Sequence, residues 1–223
     1  MPNTVHPEVL TQLEGLALED ATPLVISDAD EVLIQFMAAL EDYLEENGMY
    51  FDWSSFALSG NIRRRSDDGA VERDEIKALL ETFFTSRVEE LRPVPGAAQA
   101  LAALARRAQI VVLTNIPMAQ REMRQRNLAR HGMDYPVIAN VGGKGAAVRH
   151  LAERVAAPVF FLDDIPSHHA AVAAVADRVY RVHLIADPRL GTLLGKAEDS
   201  HFRADDWVEA RAFIEERLDE LGY

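Results

Sequence analysis

The 223-residue chain contains no cysteine. Disulfides, thiolate catalysis, iron–sulfur clusters and cysteine-ligated zinc are thereby excluded, and the absence fits a reducing compartment. Cations are scarce as well: 23 Lys and Arg stand against 36 Asp and Glu, a formal charge of −13. Nucleic-acid binding relies on Lys and Arg to neutralise phosphates, so this balance argues against it, and against an anionic membrane surface. A small phosphorylated substrate stays open, because a bound divalent cation can invert the local field. Long apolar runs are missing too. No stretch approaches the roughly 20 residues of a membrane-spanning helix. Residues 1–20 lack the basic region and apolar run of a signal peptide. The expectation is a cytoplasmic protein.

What is present suits a globular domain. The chain is 48% hydrophobic and 26% charged, ordinary for soluble proteins, and long enough for one sizeable core or a domain plus a small insert. Apolar runs at 23–26, 109–113, 136–139 and 158–162 read as buried strands, with a longer mixed run at 178–185. Continuous apolar strands are buried on both faces, as in parallel sheets. Helical patterns at 96–107, 118–131, 145–156, 166–176 and 205–221 lie between or after them. The second stops at Gly132, and Asp205 or Asp206 is placed to cap the last. Strands alternating with helices give an α/β fold with a doubly wound parallel sheet.

Residues 34–92 break this rhythm. A helical stretch (33–47) precedes the aromatics Tyr50, Phe51, Trp53 and Phe56, expected to form a small core of their own. Asp67-Asp68-Gly69 carries a hairpin signal. A second helical pattern spans 73–91, and Pro93 and Pro95 mark the return to the main sheet. The expected organisation is a core of residues 1–33 and 93–223 with a small, mostly helical insert at 34–92.

Ligands of open α/β sheets bind at the carboxyl ends of the strands, so the residues after each strand matter most. Asp28 and Asp30 follow the first strand and can divide two tasks, nucleophile and general acid/base. Thr114 and Asn115 follow the second; a hydroxyl and backbone N–H groups at a helix entrance suit a phosphate oxygen, although Thr114 could equally cap that helix. Lys144, beside Gly142, Gly143 and Gly145, could supply a point charge to a phosphoryl group. Asp163 and Asp164 close the fourth strand. Adjacent like charges there are costly unless a hard cation such as magnesium relieves them. His168 and His169 could approach the cleft, or stand as polar residues of the first turn of the next helix. In the insert, Arg63 and Arg64 could meet a second anionic group on a substrate, or balance Asp67, Asp68 and Glu72 in solvent.

Asp28-x-Asp30-x-Val32, Thr114, Lys144 and Asp163-Asp164, in that order, resemble the four motifs of the haloacid dehalogenase superfamily. The resemblance covers residues 23–185, and the insert falls at that family's cap position. Phosphoacceptor receiver domains use similar residues in a different order. The resemblance implies a Rossmann-like core and a magnesium-dependent phosphatase acting on a small phosphorylated metabolite, as monomer or homodimer. Asp28 would form an aspartyl-phosphate, Asp30 would serve as acid and base, and Thr114 would hold phosphoryl oxygens. Asn115 would orient Asp28, and Lys144 would offset charge. Magnesium would be held by Asp28, the Asp30 carbonyl, and Asp164 or Asp163. A phosphomutase or a non-catalytic ligand binder are the alternative outcomes. One residue departs from the pattern: Glu31 stands where the family commonly has Gly.

Overall fold

The structure, a computed structural model, describes residues 4–223. The chain opens with α1 (Pro7–Glu14) and β1 (Leu24–Ser27). It continues through α2 (Phe36–Glu46), β2 (Met49–Phe51), β3 (Ile62–Arg64) and α3 (Arg73–Arg87). Next come α4 (Ala97–Leu104), β4 (Gln109–Thr114), α5 (Arg121–Arg130), β5 (Val137–Ala139) and α6 (Gly145–Glu153). It ends with β6 (Val159–Asp163), α7 (Pro166–Ala173), β7 (Tyr180–Leu184), α8 (Pro188–Leu193), β8 (Phe202–Ala204) and α9 (Trp207–Leu221).

Six strands form one parallel sheet in the order β5-β4-β1-β6-β7-β8. Its central strand β1 is the first in sequence, flanked by β4 and β6, and the chain winds outward from it in both directions. That is the doubly wound, Rossmann-like arrangement expected from the alternating pattern. Every residue of β1, β5 and β6 is buried, which is why those segments carry no polar alternation. One face packs Val25, Val112, Phe160 and Leu162 against α4 and α9. The other packs Ile26, Val111 and Phe161 with residues of α1, α6 and α7. The edge strand β5 is protected by a side chain: Gln12 of α1 donates to the Ala139 carbonyl at 3.2 Å and accepts from its N–H at 2.9 Å. This amide occupies the ladder position a further strand would take.

Three elements escape the sequence pattern. The strand β8 is three residues long, and α1 and α8 are single short helices at the periphery. The Asp-Gly signal resolves as a short hairpin. Asp67-Asp68-Gly69 is a tight turn, with Asp68 at φ 60° and closed by Arg64 N–H to the Gly69 carbonyl at 2.9 Å. Beyond it the chain folds back along the edge of β3 that β2 leaves free: Arg63 bridges Ala70 and the Val71 N–H donates to the Ile62 carbonyl at 2.8 Å. The insert's aromatics do cluster: Phe51 is buried and meets Trp53 edge-on at 4.9 Å. Trp53 also reaches across to the main body, where the Arg189 guanidinium lies 4.0 Å from its ring centre.

Candidate active site

Parallel register sets the rim. In β1 and β6, Ser27 pairs with Leu162 and the Asp28 N–H donates to the Leu162 carbonyl at 2.9 Å, so Asp28 and Asp163 leave the sheet side by side. Across the other flank β4 carries Thr114 to the same end. Lys144 arrives from the start of α6. There Gly145 is indispensable, since a Cβ would sit 2.3 Å from the Ala171 carbonyl oxygen of α7. Only glycine lets α6 begin this close to α7, and that approach delivers the lysine.

Lys144 Nζ lies 2.7 Å from Asp28 Oδ2 and 2.7 Å from Asp163 Oδ2, with its side chain fully buried. One ammonium thus sits between two carboxylates from different strands. Burial raises the Asp28 carboxyl to about 6, although Lys144 pulls the other way. Burial would also raise Asp163, but Lys144 and His168 outweigh it and hold Asp163 below the usual carboxylate range. Lys144 itself is raised, because the two acids overcome its desolvation.

Asp163 and Asp164 therefore differ. The Asp163 carboxylate is committed to Lys144, to His168 Nδ1 (3.0 Å to each oxygen) and to the Ile165 N–H at 2.9 Å. No hydrogen bond reaches the Asp164 carboxylate among the described residues. Burial together with Asp163 and Asp28 raises that carboxyl well above its ordinary value. The buried, oxygen-rich pair Asp28 and Asp164, with the Asp30 carbonyl close by in sequence, fits a hard divalent cation. Asp28, Asp163 and His168 also offer ligand atoms within 4.8 Å of one another, but Lys144 already neutralises that group. The sequence left both acids open; their partners favour Asp164 as the one free to ligate.

His168 and His169 are buried, not merely polar positions of a first turn. His168 grips Asp163. His169 Nε2 contacts the Asp163 carbonyl at 2.9 Å, and His183 Nε2 contacts the Asp164 carbonyl at 2.8 Å. A carbonyl accepts only, so both rings carry the proton on Nε2. For His183 this agrees with Nδ1 accepting from the Ala197 N–H at 3.0 Å. Burial pushes His169 down to about 4, so it stays neutral. Two neutral imidazoles thus pin the backbone that presents the acid pair. A His-His pair one turn beyond the acids was visible in the sequence; its partnership with His183 of β7 was not.

The loop 28–34 is tightly wound: the Ala29 carbonyl accepts from Leu33 N–H at 2.8 Å and Ile34 N–H at 3.0 Å. Trp207 of α9 buttresses it, donating Nε1–H to the Val32 carbonyl at 2.7 Å. Glu31 adopts φ 59°, the left-handed conformation that glycine takes freely and that strains most other residues. Its carboxylate accepts from the Met37 N–H at 2.5 Å, in the first turn of α2. The side chain that replaces glycine thus caps the first helix of the insert. Burial raises Glu31 to about 7.

Of the remaining expected residues, Thr114 has a buried hydroxyl without a partner. It does not cap a helix. Asn115 does not reach Asp28. It donates to the Gly142 carbonyl at 2.9 Å and accepts from Asn140 Nδ2 at 2.7 Å, tying the two rim loops together. Arg63 pairs with Asp52 at 3.3 Å and Arg64 with Glu75. Both are held by acids and carbonyls of the insert. Arg124, unremarked in sequence, is fully buried and donates to Asp30 Oδ1 at 2.8 Å.

With this geometry in place, comparison gives the class: the fold is that of the haloacid dehalogenase-like hydrolases. No family model matches the chain, and no curated protein matches it. Solved structures do. A HAD family hydrolase from Deinococcus radiodurans R1, with bound phosphate and sodium, is similar at TM-score 0.60 and 16% identity, over 89% of this chain and 97% of that one. The HAD-hydrolase candidate YfnB from Bacillus subtilis, bound to magnesium, is similar at TM-score 0.58 and 13% identity, over 87% and 99%. A predicted phosphoglycolate phosphatase from Haemophilus somnus is similar at TM-score 0.55 and 14% identity, over 89% and 100%. Among the described residues no helix is long and apolar enough to cross a membrane.

Proposed function

We propose that this chain is a magnesium-dependent phosphomonoester hydrolase acting on a small phosphorylated metabolite through an aspartyl-phosphate on Asp28. The observation that carries this reading is the buried Lys144 ammonium, 2.7 Å from both Asp28 and Asp163, at the strand end where the Thr114 hydroxyl has no protein partner. A metabolic phosphate supplies what such a site lacks: oxygens for the Thr114 hydroxyl and for donors of the rim loops. The magnesium-bound and phosphate-bound structures of similar fold agree with that assignment.

In this reading an Asp28 carboxylate oxygen attacks phosphorus, and the ester P–O bond breaks. Asp30 gives its proton to the departing oxygen. Water then attacks the aspartyl-phosphate, and Asp30 takes the proton it loses, releasing inorganic phosphate and restoring both acids. Lys144 holds Asp28 in line and offsets phosphoryl charge, and Thr114 positions a phosphoryl oxygen. Magnesium, held by Asp28, Asp164 and the Asp30 carbonyl, would neutralise charge between nucleophile and phosphoryl group. Residues 34–92 would cover this rim as a cap, with Glu31 tying the cap's first helix to the nucleophile loop. Arg63 and Arg64 are given no role in this reading, since the acids they meet belong to the insert.

The test is hydrolysis of a broad phosphomonoester panel with magnesium and with EDTA. Turnover is expected only with magnesium, and Asp28→Asn should reduce it on the order of 10⁴-fold, as loss of a nucleophile that acts in a unit does. Wild-type turnover no greater than that of Asp28→Asn would sink the reading.

A further inference from the structure

Arg124 is a fully buried cation beside the site that the proposed chemistry does not use. It lies on α5, 94 residues from Asp30 in sequence, and is wholly buried. Its Nη2 donates to Asp30 Oδ1 at 2.8 Å, while Nε and Nη1 are buried without partners. Among the described residues Asp30 is the only acid paired with it. Releasing Asp30 would leave an uncompensated charge in the interior, which is strongly unfavourable. The grip is therefore firm. It is also one-sided: no hydrogen bond reaches Asp30 Oδ2 among the described residues, and the side chain is 21% exposed.

We propose that Arg124 is a positioning residue that holds Oδ1 of Asp30, leaving Oδ2 as the oxygen that exchanges protons with the leaving group and with water. This rests on the phosphatase reading above. A guanidinium does not deprotonate in proteins and has donors only. Oδ1 consequently always faces an N–H, and the hydrogen of protonated Asp30 resides on Oδ2. In the first step the Oδ2–H bond breaks as the ester oxygen leaves phosphorus and takes that proton. In the second, Oδ2 accepts a proton from the attacking water, and the cycle balances. A carboxyl free to rotate would divide its proton between both oxygens; Arg124 removes that choice. Lys144, shared with Asp163, contacts Oδ2 of Asp28, so each acid of the Asp28-Ala29-Asp30 motif meets a buried cation.

Leaving-group dependence distinguishes this from a merely structural ion pair. 4-Nitrophenolate departs without being protonated, whereas the alkoxide of glycerol 2-phosphate needs a proton. In kcat/KM, which reports formation of the aspartyl-phosphate, Arg124→Gln should lose about 100-fold on glycerol 2-phosphate, the scale of general-acid catalysis, and under about tenfold on 4-nitrophenyl phosphate. Arg124→Lys retains a charged donor and should show the same selectivity at smaller amplitude; it carries the test if the Gln variant does not fold. In an Asp30→Asn background, Arg124→Gln should cost nothing further on glycerol 2-phosphate. Equal losses on the two esters, or an additional loss in that background, would overturn the proposal. Wild-type protein inactive on both esters would instead overturn the phosphatase reading.

Discussion

The rim of the sheet and the insert use the same charges in different media. In the insert, Arg63, Arg64 and Arg65 pair with Asp52, Glu75 and Glu45, and their side chains are a third to a half exposed. Water screens such pairs, and each contributes about 0–1 kcal/mol. At the rim, Lys144 and Arg124 are fully buried, and their acids come from strands and loops far away in sequence. The insert holds three adjacent arginines and no site built from them. The rim has one lysine, one arginine and an acid pair, and all four are buried. Burial, more than the density of cations along the chain, marks where chemistry is concentrated.

Lys144→Met breaks this contrast most severely. It leaves Asp28 and Asp163 facing each other without a cation, and removing one partner of a buried pair costs about 3–5 kcal/mol. Urea unfolding of the variant in EDTA should show that loss, and a change below about 1 kcal/mol would place the lysine in solvent-like surroundings.

Glu31 supplies the next effect, through pH. Its folded-state carboxyl titrates near 7, above the ordinary value of 4.5. As pH rises from about 4.5 to about 7, the unfolded chain loses this proton first, so the group subtracts stability over that window and leaves it unaffected below. The shift corresponds to roughly 3 kcal/mol at pH 8. Glu31→Gln keeps an acceptor for the Met37 N–H and cannot ionise. It should therefore raise stability in EDTA at pH 8 by that order and change it little at pH 4. Equal effects at the two pH values would remove Glu31 as their cause.

The smallest effect sharpens the comparison from the other side. Arg63→Ala and Arg64→Ala should each alter stability by less than about 1 kcal/mol and leave KM for the best phosphate ester unchanged. A rise in KM in either variant would bring the insert's arginines back to the substrate.

Much of the rim was legible because its signals are local. Apolar runs ending in Asp28-x-Asp30, Thr114 and Asp163-Asp164 locate strand ends without any knowledge of packing. Gly145 marks a close approach that only the structure explains, as the Ala171 carbonyl against its missing Cβ. The partners were not legible. Arg124 reads as one more cation in the run Arg121 to Arg130, and nothing local reveals that it meets Asp30. His168, His169 and His183 acquire their roles only when β6, α7 and β7 come together. Glu31 was conspicuous as the side chain in a glycine position. Its use as a cap for α2 depends on how the loop turns.

The most direct measurement is of Asp28 itself. Protein mixed with magnesium and a hydrolysed phosphomonoester, quenched rapidly in acid and digested, should yield one phosphorylated peptide, the one containing Asp28. The label should vanish in Asp28→Asn and persist in Asp30→Asn, where the second step is slowed. Sustained turnover with no phosphoryl group on Asp28, or with the label on another residue, would contradict the nucleophilic role assigned to it.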